Sequence, residues 1–266
     1  MNGLTIEKGV LLLRELKKKD WLSMLGLSES MIPKALILRG TRNLKSQYEN
    51  YRSYFTDVIN IKSPNNLLED VFVGKLEGVS VAYASVYGAP MAADIVHVFG
   101  VLGTSFVLQT GCCGALAANI HPGDLFIATE AYRGEGASAY YNQEASIVKA
   151  SLKANALPLI QAVRDVTVHS GRIYTTSALF MEGKEQIEDW FNKGCAAVDM
   201  ETAATFAVAN YFRMDSAAIL YVFDNPRNET DIIMSDNEKD TRRDIANRRM
   251  VELTFEIVKS YFSKKK

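Results

Sequence analysis

In the last third of the chain an apolar strand runs directly into an apolar helix, in the order Ala196-Ala197-Val198-Asp199-Met200-Glu201-Thr202-Ala203-Ala204. The residues after Thr202 predict a helix to about residue 211. Glu201 therefore lies at the mouth of that helix. One interpretation is a first-turn Glu stabilised by the helix dipole. The other is a ligand-binding carboxylate, which can accept hydrogen bonds from two neighbouring hydroxyl groups.

Strands and helices alternate on both sides of this stretch. Short apolar or alternating segments predict strands at 35–38, 79–86, 105–109, 124–129, 167–174 and 216–222. Helical segments are predicted between them, at 91–102, 184–192 and 202–212. Such alternation predicts a layered α/β fold, and no linker divides it, so we expect one domain over residues 1–266.

Three further segments are predicted to be helical. Residues 1–33 are interpreted as an N-terminal helical extension, with an amphipathic helix at 6–25. Residues 145–163 have a helical composition with a break before Pro158. Residues 236–262 predict one long C-terminal helix, because their charged and apolar residues segregate.

The composition argues against several functional classes. Thirty Lys and Arg residues face 31 Asp and Glu residues, so no net charge attracts nucleic acid or an anionic membrane. Three cysteines, two of them adjacent, argue against a disulfide framework, and the scarcity of His argues against a metal site. No apolar run is long enough for a transmembrane helix and no signal peptide is recognisable, so we expect a cytoplasmic protein.

Chemically distinctive residues fall where the predicted strands end. They are Arg39-Gly40, the segment from Gln109 to Gly114, Tyr174, Met200-Glu201 and Asp224. Sheets of this class bind ligands beyond the carboxyl ends of their strands. The sequence therefore predicts one shared pocket.

Two of these segments carry a family resemblance. The stretch from Val198 to Ala204 resembles V-E-M-E-x-A-A, the sugar-binding motif of the purine nucleoside and uridine phosphorylase superfamily. The glycine-rich segment from Gln109 to Gly114, with its continuation to Asp124, resembles that superfamily's phosphate loop. The resemblance implies a central twisted, mixed sheet flanked by helices. It also implies that Glu201 and Met200 hold a ribose.

The resemblance assigns phosphate to two segments, each with a departure. Gly111 and Cys112 match the glycine-rich loop, whose backbone amides can form an anion nest, but Gln109 replaces an Arg and brings no charge. Gly40 matches the second element, where Leu44 takes the usual Arg position. Arg39 and Arg42 lie close by and could supply the missing cation. The alternative for the glycine-rich loop is a simple strand-to-helix turn, and the alternative for the segment around Gly40 is a solvated basic turn.

The base end of the pocket also follows from the resemblance. Tyr174 occurs where the family places an aromatic that stacks on the base, and Phe180 where it often places a second. Asp224 ends an apolar strand, as in the purine-specific branch, where an Asp holds or protonates the purine ring. A core Tyr and a turn-capping Asp are the alternative interpretations.

Together these matches imply cleavage of the N-glycosidic bond of a nucleoside, most simply a purine nucleoside, by phosphate, with no further cofactor. Two alternatives stay open. Hydrolysis by water is one, although the water-activating Glu of the hydrolytic branch has no match between residues 36 and 47. A non-catalytic nucleoside-binding relative is the other. The resemblance also implies a homo-oligomer, with the segment 132–141 near the subunit contact.

Overall fold

The protein was analysed as a computed structural model that describes residues 12–142, 144–151, 163–228 and 237–263. Ten strands are present in these residues: β1 Ala35–Gly40, β2 Thr56–Asn60, β3 Val71–Leu76, β4 Val79–Val86, β5 Phe106–Ala115, β6 Leu125–Arg133, β7 Ile147–Lys149, β8 Val168–Thr175, β9 Cys195–Asp199 and β10 Asp215–Asp224. The α-helices of the same residues are α1 Lys18–Leu25, α2 Leu44–Arg52, α3 Gly88–Leu102, α4 Lys184–Asn192, α5 Thr202–Tyr211 and α6 Asn237–Phe262.

The strands form one mixed sheet. Their order is β10-β6-β8-β9-β5-β1-β4-β3-β2, and β7 pairs with β6. β5 also pairs with β10, so β5, β10, β6, β8 and β9 close into a ring. β1 is parallel to β4 and β5, whereas β9 is antiparallel to β5. This topology brings the carboxyl ends of β1, β5 and β10 together, because all three run in the same direction.

Helices cover both faces of the central strands, which explains why β1 is a continuous apolar run rather than an alternating one. Leu36 and Leu38 pack into a cluster with α3 and α5. Ala35 and Ile37 pack on the opposite face, into a cluster that includes residues of α6. Side chains therefore alternate between two layers along β1, and this alternation decides which residues can face the site.

Most of the predicted elements are confirmed, but two helices are not as expected. The predicted helix at 145–163 is wrong at 147–149, which form β7 on the edge of β6, and residues 152–162 lie outside the described residues. In the predicted helix at 6–25, residues 6–11 lie outside the described residues, and from residue 12 the chain forms a 3-10 turn at Leu13–Glu15 and then α1 from Lys18. The C-terminal helix is confirmed over Asn237–Phe262.

Within the described ranges, no helix combines the length and the apolar character needed to cross a bilayer.

Candidate active site

The ends of four strands meet closely at one edge of the sheet. Gly40 ends β1, and a Cβ atom on Gly111 of β5 would lie 2.9 Å from the Gly40 carbonyl oxygen. Farther along β5, Gly114 pairs with Val198 of β9 and with Asp224 of β10. A Cβ atom on Gly114 would lie 2.9 Å from Asp224 Oδ1. Because glycine has no side chain, the Gly40 carbonyl can approach Gly111 and the Asp224 carboxylate can approach Gly114.

Glu201 is buried at the start of α5, with 6% of its surface exposed. Its Oε1 accepts a hydrogen bond from the backbone N–H of Gly88 at 2.7 Å, and its Oε2 faces Gly40. Burial, and then the charge of Asp199, raise the pKa of Glu201 to about 8. The protonated form of the carboxyl group is therefore favoured at neutral pH.

Asp199 organises the turn from β9 into α5. Its Oδ2 accepts hydrogen bonds from the N–H of Thr202 at 2.8 Å, the hydroxyl of Thr202 at 2.5 Å and the N–H of Glu201 at 3.3 Å. Its Oδ1 accepts one from the hydroxyl of Thr175 at 2.8 Å. Burial raises the pKa of Asp199, and these four hydrogen bonds oppose that rise. Because Asp199 accepts four hydrogen bonds, which stabilise its ionised form, we assign the negative charge of the pair to Asp199 and the proton to Glu201.

The sequence motif singled out Glu201 and not Asp199, although Asp199 holds the turn that positions Glu201. An Asp that precedes a helix is a known capping signal, and this signal could have identified it. Met200 is half-buried between the two carboxyl residues.

Asp224 and Cys112 complete the edge. Cys112 exposes part of its surface, yet desolvation of its thiol raises its pKa to about 11. The charge of Arg39 opposes this rise, and the charges of Glu201 and Asp224 add to it. The thiol therefore lies within electrostatic reach of both carboxyl groups. The turn after Asp224 is capped by Asn225, whose Oδ1 accepts from the N–H groups of Arg227 and Asn228 at 3.2 Å each.

A sequence model of the phosphorylase superfamily matches residues 41–259, which include most of this edge. The chain belongs to the phosphorylase superfamily.

Relatives within the superfamily act on different nucleosides, as their names state. A guanosine phosphorylase of Halorubrum lacusprofundi is 31% identical over 147 residues, which cover 52% of this chain and 58% of that protein. A uridine phosphorylase of Thermococcus kodakarensis is 26% identical over 168 residues, which cover 57% of this chain and 60% of that protein. The matches thus span about three-fifths of the length of these curated relatives.

A solved structure has the same fold. The uridine phosphorylase of Vibrio fischeri ES114, in complex with 6-hydroxy-1-naphthoic acid, superposes with a TM-score of 0.71 at 22% identity. The superposition covers 87% of this chain and 93% of that one. The expected α/β fold with a mixed sheet is confirmed.

The glycine-rich segment of this superfamily member differs from the expected loop. Gly111 and Cys112 belong to β5, which runs on to Ala115 and pairs with β10 in parallel register. Their amides lie along a strand, so an anion nest of successive amides is not formed there. Neither the nest nor the alternative strand-to-helix turn describes this segment correctly.

Two residues predicted to bind phosphate are engaged with the protein itself. Gln109 is buried, and its Oε1 accepts a hydrogen bond from the hydroxyl of Thr205 at 2.9 Å. Its Nε2 faces Gly40 and donates to a backbone oxygen at 3.0 Å. Arg39 lies on the opposite face of β1, below α6, where Nη2 donates to Asn247 Oδ1 at 2.8 Å. The structure thus brings Gln109 to Glu201 and Gly40. Arg39 makes its hydrogen bond on the opposite face of β1, but its positive charge still lowers the pKa of Glu201 and of Cys112.

Arg42 is exposed and follows the end of β1 by two residues. Its guanidinium is 4.9 Å from the ring centre of Tyr87 and 5.4 Å from that of Phe180. These distances suit cation–π contacts. Arg42 is therefore an exposed cation beside two aromatic rings.

The two predicted base-binding aromatics have different surroundings. Tyr174 stacks on Trp190 with ring centres 4.5 Å apart and on Tyr132 with ring centres 5.4 Å apart. These contacts pack Tyr174 against the protein, and its role in stacking on a base stays a prediction. Phe180 is 90% exposed and remains available.

Proposed function

We propose that this chain cleaves the N-glycosidic bond of a purine nucleoside with phosphate, giving free base and pentose 1-phosphate. One observation carries the proposal: in a member of the phosphorylase superfamily, the carboxyl groups of Glu201 and Asp224 flank the glycine-rich part of β5. A nucleoside has hydroxyl donors at its ribose end and acceptor nitrogens at its base end, so each end can bind one of the two carboxyl groups.

In this mechanism Glu201 binds the two ribose hydroxyls, which donate to its carboxylate. The bond between the anomeric carbon and the base nitrogen lengthens, and the sugar gains oxocarbenium character. The bonding electron pair leaves with the base, and Asp224 donates a hydrogen bond or a proton to the ring. An oxygen of phosphate then bonds to the anomeric carbon.

The preference for a purine rests on Asp224. An acid at this end of the site can protonate a purine nitrogen as the base departs. The guanosine phosphorylase of Halorubrum lacusprofundi, at 31% identity, supports the same preference.

Hydrolysis is the second candidate, and the surroundings of Gln109 favour it. Gln109 carries no charge and is held by Thr205, while Arg39 binds Asn247 on the far face of the strand. Phosphate would then depend on Arg42 for a neighbouring cation. Water needs no such cation.

Purified protein incubated with inosine, guanosine, adenosine and uridine tests both candidates. We expect release of purine base that requires phosphate and a weaker or absent reaction with uridine. Release that is independent of phosphate would replace phosphorolysis by hydrolysis. If no base is released while calorimetry still detects nucleoside binding that Glu201→Ala abolishes, the chain is a binding protein.

Two further expectations are kept as proposals. A cytoplasmic location is supported by three unpaired cysteines, and cell fractionation tests it. A homo-oligomer is supported by an open cavity of about 730 Å³ beside α3, which exposed apolar residues border.

A further inference from the structure

Gln109 links strand β5 to the helix that begins at Glu201. Its side chain is fully buried, and its Oε1 accepts a hydrogen bond from the hydroxyl of Thr205 at 2.9 Å. Thr205 lies one helical turn after Glu201, and its N–H donates to the Glu201 carbonyl oxygen at 3.0 Å. The Gln109 amide is therefore anchored one turn from Glu201 on the same helix.

The orientation of the Gln109 amide follows from its contacts. Nε2 donates to the carbonyl oxygen of Thr110 at 3.0 Å. A carbonyl oxygen can only accept, so the amide nitrogen rather than the amide oxygen must lie there. The nitrogen carries a second hydrogen, which has no acceptor among the residues that the structure describes. Because 0% of the Gln109 surface is exposed, solvent cannot accept it either. A buried donor left in this way is unfavourable unless a partner reaches it.

Gly40 leaves the space between this donor and Glu201 open. A Cβ atom on Gly40 would lie 3.0 Å from Gln109 Nε2 and 2.8 Å from Glu201 Oε2. The two atoms are therefore within about 6 Å of each other, which is the length of two hydrogen bonds. Oε1 of Glu201 already accepts from the N–H of Gly88 at 2.7 Å, so Oε2 is the oxygen that remains for the amide.

The charge of Glu201 decides when it needs this donor. Burial and the charge of Asp199 raise the pKa of Glu201 to about 8, so the protonated form is favoured at neutral pH. Ribose hydroxyls donate to the ionised form, which a further N–H donor also stabilises. A neutral amide does this without an ion pair, whereas an Arg at this position would ionise Glu201 before the sugar binds. Gln109 therefore suits a carboxyl group that changes its charge on binding.

We propose that Gln109 is the positioning residue of Glu201. When the sugar binds, Glu201 gives its proton to solvent, and Oε2 moves to accept the second amide hydrogen of Gln109. This bond holds the carboxylate in the orientation that accepts the ribose hydroxyls. The proposal rests on the proposed function of this site, and it gives Gln109 a role in binding the sugar rather than phosphate. The sequence does not indicate this role, because Thr205 and Gly40 come from segments far from Gln109.

Calorimetry in Asp224→Asn proteins, in which turnover is prevented, tests this role with two nucleosides. Inosine has both ribose hydroxyls, and dideoxyinosine lacks them. We expect Gln109→Met to weaken the binding of inosine about tenfold and to leave that of dideoxyinosine unchanged, because the lost hydrogen bond serves only the hydroxyls. Inosine should also release fewer protons at pH 7, since ionised Glu201 loses a donor. An equal loss for both nucleosides would indicate a structural role and overturn the proposal, as would unchanged binding of inosine.

Thr205→Val provides a second test that leaves Gln109 and Glu201 in place. It removes the hydroxyl that anchors the amide, so we expect roughly threefold weaker binding of inosine and unchanged binding of dideoxyinosine. In the Gln109→Met protein the same change should not alter the preference for inosine further, because Thr205 acts through Gln109. Thr254→Val is the matched control, since Thr254 is equally buried on α6 and donates to the Met250 carbonyl oxygen of its own helix at 2.7 Å. A Thr205 effect that persists without Gln109 would contradict the anchor.

These measurements separate the role of Gln109 from the proposed function, because they record binding rather than turnover. A loss selective for inosine, in a protein whose wild type cleaves no nucleoside, would support the role of Gln109 and refute the proposed function. Phosphate-dependent cleavage of inosine by the wild type, together with an equal loss for both nucleosides in Gln109→Met, would support the proposed function and refute the role of Gln109.

Discussion

At the scale of single residues, the proton on Glu201 gives the site a measurable signature. Burial and the charge of Asp199 raise the pKa of Glu201 to about 8. Ribose hydroxyls donate to the ionised form and therefore lower this pKa. At a pH between the pKa of Glu201 in the nucleoside complex and its pKa in the free protein, binding releases a proton from Glu201. Nucleoside affinity should therefore rise as the pH rises towards 8.

Calorimetry of inosine binding at pH 7, in buffers of different ionisation enthalpy, measures this release. The Asp224→Asn variant prevents turnover during the titration. We expect release of a large fraction of one proton with inosine. Hypoxanthine lacks the ribose and should release none. Release of the same number of protons with the two ligands would show that Glu201 does not bind the ribose hydroxyls.

Gly111 is the second residue-scale test, because its missing side chain allows β1 and β5 to approach. A Cβ atom there would lie 2.9 Å from the Gly40 carbonyl oxygen, which is backbone and cannot move aside easily. We expect Gly111→Ala to lower the free energy of unfolding by about 2 kcal/mol and to reduce activity. Gly136→Ala is the control, since no atom lies within 4 Å of its added Cβ. Denaturant melts in which both variants match the wild type would contradict the close approach.

At the scale of elements, the contrast between Tyr174 and Phe180 separates packing from binding. Tyr174 lies in a stack between β6, β8 and α4, so we expect Tyr174→Leu to cost about 2 kcal/mol of stability and to leave KM unchanged. Phe180 is 90% exposed, so Phe180→Ala should leave stability within about 0.5 kcal/mol and raise KM about tenfold. Thermal melts and steady-state kinetics on both variants check this. The reverse pattern would restore Tyr174 as the base-stacking residue.

Local sequence patterns predict some of these elements and contacts, but not those that depend on distant segments. Strands such as β1 and β4 were predictable because local apolar patterns specify them. β7 was not, since three residues form a strand only because the edge of β6 lies beside them. The stack on Tyr174 was equally hidden, because Trp190 and Tyr132 come from distant segments.

At the scale of the whole molecule, the meeting of strand ends at one edge was predictable from the alternation of strands and helices, and the directions of side chains were not. Glu201 follows β9 and Asp224 ends β10, and they lie beside Gly40 and Gly114 at this edge. Arg39 adjoins Gly40 in the sequence, but neighbours on a strand face opposite layers, so its side chain hydrogen-bonds to Asn247 of α6.

The subunit surface carries the last prediction. A cavity of about 730 Å³ beside α3 is bordered by Leu13, Tyr140 and Tyr211, which are 61%, 87% and 53% exposed. Contiguous exposed apolar residues of this kind mark interaction sites, and a second copy of the chain would cover them. We expect the wild type to sediment as an oligomer and the double variant Tyr140→Glu, Tyr211→Glu to dissociate, since association would bury two charges. Tyr54→Glu is the control, because Tyr54 is 55% exposed and packs on Phe255 of α6 instead. A monomeric wild type in sedimentation velocity would rule out this assembly, and dissociation by Tyr54→Glu alone would move the interface to the face of α6.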